Sequence, residues 1–592
     1  MGKILVSDYI FKFLSKKNVE YAFCLTGGGA MFLNDALAKN KDIKTVFSHH
    51  EQASAMASVS YSKMTNKPSV VVPTTGCGST NCITGLLDAW QDNVPCIFIS
   101  GQVNKQQTTY NCSAQIRQFG VQEANIVEMV KSITKYSVMI DEPNDIFYHL
   151  EKAIHLATTG RKGPVWLDIP LDVQNKYVDP PSSAHYIPEA AGKEIFTGEF
   201  EKILNNSKRP IILAGNGIKL SNAEDSLVSF VEKHQIPVVT TFLGVDLLPT
   251  DHFLNIGRVG VKGNRAANFA LQNSDLVVSI GSRLSVATTG YKYEYFAREA
   301  KIVVIDIDCE EHKKNTVNID LLLEADAKEF LNKDFQYIAE AFWKEKCGEW
   351  KENWSIFKEP REDEDGNISI YDFMKSLSDC ADSNSVFISD AGSAYYAVCQ
   401  SLQIKKGQRH ITPGAQAEMG FTLPAILGAY LGAEKESAII GITGDGSFQT
   451  NIQELQTIIH YNIPAKIFIW NNDGYLSIRT TQRKFFNDRF IGTSKEHGVS
   501  FPDTELISKA YGYKYVSINT VSEAKQKILE VLEDDGPVIC EVFSKKWDKI
   551  IPTLSSKKNE DGTITSKPLE DMFPYLKREE FYDNMIIKPL EE

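Results

Sequence analysis

Residues 444–472 read GDGSFQTNIQELQTIIHYNIPAKIFIWNN, and this stretch decides the fold. The apolar run AIIGIT (438–443) precedes it, and the apolar run AKIFIW (465–470) brings it to its close. Between the two, Phe448, Ile452, Leu455 and Ile459 fall on one helical face. Asn462-Ile463-Pro464 ends that helix. A strand, a helix and a second strand in about 30 residues make one parallel crossover unit. Continuous Ile-rich runs suit strands buried on both faces, as in parallel sheets covered by helices. In such sheets ligands collect beyond the carboxyl ends of the strands. Gly444-Asp445-Gly446-Ser447 and Asn471-Asn472 stand at those ends.

Gly444 and Gly446 let the backbone turn sharply and bring its N–H groups toward a phosphate. Asp445 supplies a hard oxygen ligand. Asn472 follows it by 27 residues, one strand–helix–strand unit, so both side chains reach the same sheet edge. Mg²⁺ takes a few protein oxygens and fills its other positions with phosphate and water. Asp445, Asn472 and a backbone carbonyl at Gly474 suit a magnesium diphosphate. The plainer reading is a strand-end turn with an Asp N-cap and an Asn turn. The spacing of the two motifs favours the metal.

Outward from this unit the same alternation recurs in three blocks, the sign of α/β architecture with parallel sheets. The first holds TVF (45–47), PSVVVPTT (68–75), PCIFISG (95–101) and GPVWLDIP (163–170). The second runs from KRPIILAGNG (208–217) through IPVVTTF, SDLVVSIGS and AKIVVIDID. The predicted domains are 1–180, 195–335 and 366–545, with VDPPSSAHYIPEAAGKE as a linker and 546–592 as a polar, turn-rich surface tail. A chain of 592 residues, 43% apolar and 23% charged, is globular and needs more than one core. With 63 Lys+Arg against 76 Asp+Glu, its net charge of −13 repels phosphate backbones, so no nucleic-acid partner is expected. No apolar run approaches the ~18 residues of a membrane span. The N-terminus lacks a signal-cleavage pattern, and Val6 stands where myristoylation needs Ser or Thr. Ten cysteines without a CxxC pair read as reduced thiols of a cytoplasmic protein.

Other candidates are weaker alone. Glu51, in FSHHEQASAMASVSYSKM, reads by itself as a first-turn acid complementing the helix dipole. His49 and His50 alternate faces and cannot readily chelate one ion. Gly27-Gly28-Gly29 and Gly76-Cys77-Gly78-Ser79-Thr80-Asn81 are strand-to-loop turns that let a ligand lie close to backbone. Gly215-Asn216-Gly217 has Leu220 where a dinucleotide fingerprint needs a third glycine, so a structural turn is the stronger reading. In GAQAEMGFTLP (414–424), Met419 is either a core gap-filler or a prop for a cofactor ring.

HHEQASAMA, TTGCGSTNCITGLLDAWQDNVPCIFISGQV, AEMGFTLPAILGAYLG and the 444–472 stretch occur in one order. Together they resemble the thiamine diphosphate-dependent enzymes, and within them the acetolactate synthase-like group, over nearly the whole chain. The resemblance implies three doubly wound parallel-sheet domains: pyrimidine-binding, middle and diphosphate-binding. It implies that Asp445, Asn472 and the Gly474 carbonyl hold Mg²⁺. Gly444, Gly446, Ser447, Gly392, Ser393, Tyr475 and Leu476 would line the cofactor site. Met419 would force the cofactor into its bent shape, and Glu51 would hydrogen-bond the aminopyrimidine. Gly28, Gly29, Gln122 and Thr481 would border the substrate. A buried carboxyl beside a ring nitrogen favours the imino tautomer, which takes the C2 proton. Many members bind FAD in the middle domain, and the sequence leaves FAD open.

Departures from the family concern the acceptor. Where branched-chain carboligases place a Trp, nine positions after the Asn pair, this chain has Thr481. Val121 stands for the Phe before Gln122-Glu123, and Ser393-Ala394 for a Gln-His pair. NNDGYLSIRTTQ and SKPLEDMFPYL instead resemble acetolactate synthase-like proteins of bacterial surface-sugar pathways. The expected activity is decarboxylation of a 2-oxo acid, pyruvate first, and transfer of the fragment to a carbonyl acceptor, a 2-oxo acid or a keto sugar. The alternatives are a non-ligating decarboxylase, a ring-opening diketone hydrolase, and an inert regulatory homologue. The family pattern implies a homodimer, or a tetramer of two, with ASAMASVS (53–60) at the interface.

Overall fold

The computed structural model describes residues 3–179, 184–188, 195–361, 367–558 and 564–590. Met1-Gly2, much of the expected linker, residue 366 at the expected start of the third block, and 559–563 of the tail lie outside the described residues.

Three six-stranded sheets carry the chain, each parallel throughout. In the first, Tyr21–Cys24 and Ser69–Val72 lie side by side at the centre; Lys44–Phe47 flanks one side, and Cys96–Gln102, Val165–Pro170 and Tyr136–Met139 follow on the other. The third repeats this order: Arg409–Ile411, Val386–Ser389, Ile439–Gly444, Lys466–Asn471, Val538–Phe543, Lys514–Ile518. The middle sheet differs. Its first strand, Pro210–Ala214, lies between Val238–Thr240 and Leu276–Ile280, which is the dinucleotide-fold order. Each sheet therefore has one place where the winding reverses, and there the strand ends splay into a crevice.

The 444–472 unit forms as expected, with one difference. Its helix is broken into Asp445–Phe448, a 3₁₀ turn Gln449–Asn451, and Glu454–His460. The break turns Asn451 inward, where its amide donates to Gly420 O at 2.8 Å. Gly444 pairs with Trp470, so Asp445 and Asn471-Asn472 leave the sheet at the same level.

First and third domains share one apolar core. Helix Glu51–Thr65 crosses helix Thr422–Gly432 so closely that a Cβ on Gly428 would stand 2.0 Å from Ala57 O. Ser60 Oγ donates to Ala425 O at 2.7 Å. The small residues expected to face a second chain are thus buried within this one, and they no longer argue for an interface.

The C-terminal segment is not the surface tail that its composition suggests. Arg265 grips Glu359 through two bonds of 2.9 and 2.8 Å and reaches Met572 O and Pro574 O. Arg298 pairs with Glu570 at 2.7 Å. Helix Arg578–Asn584 sets Phe581 against Phe269 of the middle domain. The segment is a strap whose polar groups are satisfied by buried partners. Among the described residues no helix is long and apolar enough to cross a membrane, and no disulfide joins any two cysteines.

Candidate active site

The winding reversal of the third sheet lies between Val386–Ser389 and Ile439–Gly444. The residues that follow these two strands are Asp390, Gly392 and Ser393 on one side and Asp445 on the other. Asp445 is nearly buried. Its carboxylate accepts the N–H of Gly446 at 2.8 Å and of Gly474 at 2.9 Å, and the Asn472 N–H also lies against it. Burial still dominates these bonds and pushes the carboxyl up to about 6. Asn472 Oδ1 is shielded from solvent and has no hydrogen-bond partner. An orphaned carbonyl oxygen, on a residue whose N–H meets an under-compensated carboxylate, could take a hard cation. Among the described residues no three His, Cys, Asp or Glu gather as an all-protein metal cage would need. A cation here would take its remaining ligands from phosphate and water.

The turn that presents these oxygens is tightly specified. Gly474 has φ +125°, and a Cβ there would meet Thr493 O at 2.0 Å. A Cβ on Gly446 would strike the Tyr475 ring at 2.1 Å, so Tyr475 lies directly over the Gly446 backbone; Leu476 beneath is buried. Arg479, fully buried, donates to Asn472 O at 2.8 Å and to Asp473 O at 2.6 Å and pins the turn from behind. Gly392 has φ +60° and opens helix Gly392–Ser401 with Ser393 buried beside it. A helix N-terminus at a sheet's reversal point is a natural anion site.

Ser447 behaves unlike a free phosphate donor. Its hydroxyl donates to Asp390 at 2.6 Å and accepts the Gly420 N–H at 2.8 Å. It cross-links the Asp445 turn to the loop bearing Met419, which stands half-exposed between them. Asp390 is wholly buried, and burial raises its carboxyl, while Ser447, Ala391 N and Thr443 pull it back.

The first sheet brings a second set together at its own reversal point. Glu51 is buried, with its carboxylate bonded by Asn81 Nδ2 at 2.9 Å. Its other oxygen stands 3.1 Å from where a Cβ on Gly78 would be, so glycine there keeps the carboxylate uncrowded. His50 caps the Glu51 helix through Gln52 N, while His49 turns to Thr457 and Glu454 of the third domain. The two histidines diverge, as their alternation requires. Gly29 N donates to Thr74 Oγ1. Gln122, at φ +63°, presses its carbonyl toward Gly76, where a Cβ would clash at 1.9 Å. Glu123 holds this loop through Thr109 and Phe119 N–H groups. Gly28, Gly29, Gln122 and Glu51 therefore share one edge. Thr481 sits apart, exposed on helix Leu476–Phe486, its hydroxyl bonded to Ser477 O. Gln52 Oε1 lies 3.3 Å from Asn451 Nδ2, which links the two edges within one chain.

The middle sheet's reversal point opens on a cavity of about 280 Å³. Asn216, Gly217, Ser282, Arg283, Asp306 and Asp326 line it from the middle domain, Arg161 from the first, and Gly414 and Ala415 from the third. A Cβ on Gly217 would sit 2.6 Å from Gly281 Cα. The structural reading of Gly215-Asn216-Gly217 is therefore right about close packing and incomplete, because the same turn borders the cavity. Asn81, Asp390 and Arg479 escaped the sequence reading. Only the polar Asn at the end of TTGCGSTN and the Asp closing SVFISD offered a signal.

Residues 4–129 match the family described as thiamine pyrophosphate enzyme, N-terminal TPP binding domain. Residues 199–333 match its central domain, and 390–542 its C-terminal TPP binding domain. Among curated proteins, the acetolactate synthase large subunit of Lactococcus lactis is 32% identical, over 94% of this chain and 96% of its own length. The chloroplastic acetolactate synthase of Arabidopsis thaliana is 30% identical, over 94% and 84%. The probable acetolactate synthase large subunit of Methanocaldococcus jannaschii is 32% identical, over 90% and 91%.

Proposed function

The chain belongs to the thiamine pyrophosphate enzymes, and from that premise we propose that it decarboxylates a 2-oxo acid, pyruvate first, and joins the fragment to a carbonyl acceptor. The observation that carries this reading is the unpartnered Asn472 Oδ1, on a residue whose N–H meets the buried Asp445 carboxylate, at the third sheet's reversal point. Those oxygens, with the Gly474 carbonyl, would hold Mg²⁺ and through it the diphosphate, against Gly444, Gly446, the Ser447 N–H and the Gly392-Ser393 helix start. Thiamine diphosphate, when bound, supplies the electron sink that lets a 2-oxo acid lose CO₂ and turn nucleophilic. Met419 would prop the cofactor, and Glu51 would hold a proton against its aminopyrimidine. Domains 1–180, 195–335 and 366–545 take the pyrimidine-binding, middle and diphosphate-binding roles.

The acceptor favoured is a keto sugar. Thr481, exposed one helical turn beyond Ser477, which lies against Gly392, is short where branched-chain carboligases carry a Trp and leaves room for a larger, hydroxylated acceptor. Arg479 on the same helix is spent on three backbone carbonyls and offers no charge to an acceptor carboxylate. Incubation with pyruvate, thiamine diphosphate and Mg²⁺, with and without a keto sugar, tests this by product mass. A branched sugar adduct is expected. Acetolactate would move the acceptor to a second 2-oxo acid, acetaldehyde alone would remove ligation, and absence of CO₂ release would remove the function.

The middle cavity fits FAD in its chemistry. Two glycine turns meet at its floor, and Asp306 and Asp326 sit at strand ends where ribose hydroxyls bond; Arg161 is held by Asp308 at 2.8 Å and Glu311 at 2.7 Å, so Arg283 is the lining cation that would face a diphosphate. Flavin absorbance of the purified protein reads this directly. Ten cysteines with no disulfide among the described residues suit a cytoplasmic setting.

A homodimer, or a tetramer of two, would complete the site. Phe119, Val121, Met419, Ile478 and Ile491 stand exposed around the two edges, an apolar rim that a second copy would cover. If Glu51 of one chain serves the Asp445 turn of its partner, mixing inactive Glu51→Gln with inactive Asp445→Ala restores activity. Random exchange gives half the dimers mixed, each with one intact site, so recovery reaches at most about a quarter of wild type. No recovery despite proven exchange would place each site within one chain, as the Gln52–Asn451 contact would also permit.

A further inference from the structure

The 412–420 loop, which carries Met419, is held from the first domain by a buried charge cluster. Lys63 Nζ donates to Asp88 at 3.0 Å, Asp92 at 2.8 Å and Thr412 O at 3.0 Å. Asp92 accepts the Gly414 N–H at 2.8 Å and the Ala415 N–H at 3.0 Å, one on each oxygen. Tyr395 adds a bond to Gly414 O. Beyond these anchors Ala417 adopts φ +49°, a left-handed conformation that a side-chain-bearing residue holds only when its surroundings fix it. The far end is fixed by Gly420, through Ser447 and Asn451. Met419 stands between the two sets of anchors, 37% exposed.

Glu418, its neighbour, has both carboxyl oxygens shielded from solvent and without a partner. It lies near enough for Lys63, Asp88 and Asp92 each to feel its charge. Three carboxyls thus surround one ammonium. An unpaired buried carboxylate is expensive, and burial pushes the Glu418 acid up to about 7. The remaining charged or titratable groups here are Asp390, already bonded by Ser447 and Thr443, Arg409, paired with Asp246 at 3.0 Å, and His410, which burial keeps neutral, down to about 4. None of these neutralises a Glu418 carboxylate.

We propose that Lys63 and Asp92 are positioning residues, which hold Met419 where it props the cofactor, and that the unpartnered Glu418 slackens that hold when it ionises. The proposal rests on the reading of Met419 given above. Because the Glu418 acid is raised, it is protonated below about pH 7 and ionises as pH rises through that value. Burial also raises the Asp88 carboxyl, while Asp92, despite its burial, is held down by Lys63, so the added charge competes with Asp92 for the one ammonium. Cofactor affinity should accordingly fall on the alkaline side.

Calorimetric titration of the full chain with thiamine diphosphate and Mg²⁺, from about pH 6 to about pH 8.5, tests this. Lys63→Met should weaken binding about tenfold or more, because it leaves Asp88 and Asp92 buried without their cation and frees the loop they hold. Lys63→Arg should restore most of it. Glu418→Gln should match wild type in acid and lose the alkaline decline. Wild-type affinity in Lys63→Met, or an undiminished alkaline decline in Glu418→Gln, would overturn the proposal. Should Lys63→Met fail to fold, Glu418→Gln decides alone. A wild-type protein that binds no cofactor would instead sink the functional reading itself.

Discussion

Glu51→Gln folds, binds thiamine diphosphate and loses about 10²–10⁴-fold in turnover; this is the expected result, on the usual worth of a positioned acid–base group. The substitution conserves shape in a place where shape is tightly set. Glu51 is buried, receives one bond from Asn81, and lies against the open face of Gly78. A glutamine carbonyl can still accept from Asn81, so the helix start and its packing survive. What disappears is a group that can hold and release a proton at the aminopyrimidine. The decisive measurement is exchange of the cofactor's C2 proton, followed by NMR on the bound cofactor. It should slow in step with turnover. Wild-type exchange would leave Glu51 as a first-turn acid that merely complements its helix dipole.

The contrast between Glu51 and Asn81 shows how far the chain could be read without coordinates. GDG and NN were legible because their meaning is local: glycine sets the turn, the helix length sets the spacing, and a parallel sheet brings both to one edge. Glu51 drew meaning only from company, as a member of four motifs in order. Asn81, which positions it, sits 30 residues away and joins it only through the fold. Lys63 and Asp92 are harder still, because their target is a loop more than 300 residues distant. The strap misled for a related reason. Its buried residues, Leu569, Met572, Phe581 and Ile587, are spaced among charged ones, and no periodic face announces them. Composition saw polarity where the fold supplies Arg265, Arg298 and Gln272 as partners. The middle cavity hid behind a missing third glycine, although the reversal of strand order at Gly215 and Gly281 marks it plainly once the sheet is known.

Asp445→Ala should abolish cation-dependent retention of the cofactor. Two other acids belong to the same unit, and the fold turns both away. Asp473 pairs with Lys546 at 2.7 Å, and Glu454 accepts from His49 N and Thr457. Asn472 and the Gly474 carbonyl bring no charge. Removing Asp445 therefore leaves a cation with neutral ligands only, and affinity should fall by more than the ~10–100-fold that outer-shell partners are worth. Titration with thiamine diphosphate, with and without Mg²⁺, reads the loss. A second readout guards against misfolding. Wild type at about 100 Kd of ligand gains about 2.7 kcal/mol of stability, and the variant should gain almost none while unfolding normally without ligand. The native site should also show its proton. Burial raises the Asp445 carboxyl to about 6 in the cation-free chain, so the cation must displace that proton. Apparent Mg²⁺ affinity should be level above about pH 7 and drop about tenfold per unit below about pH 6. Without cation the sign reverses: the folded chain holds the proton more tightly than the unfolded one, so stability declines as pH rises between the ordinary value of 3.8 and about 6. Unchanged magnesium dependence in Asp445→Ala would transfer the cation elsewhere, and Asn472 Oδ1 would again be a buried oxygen in need of a partner.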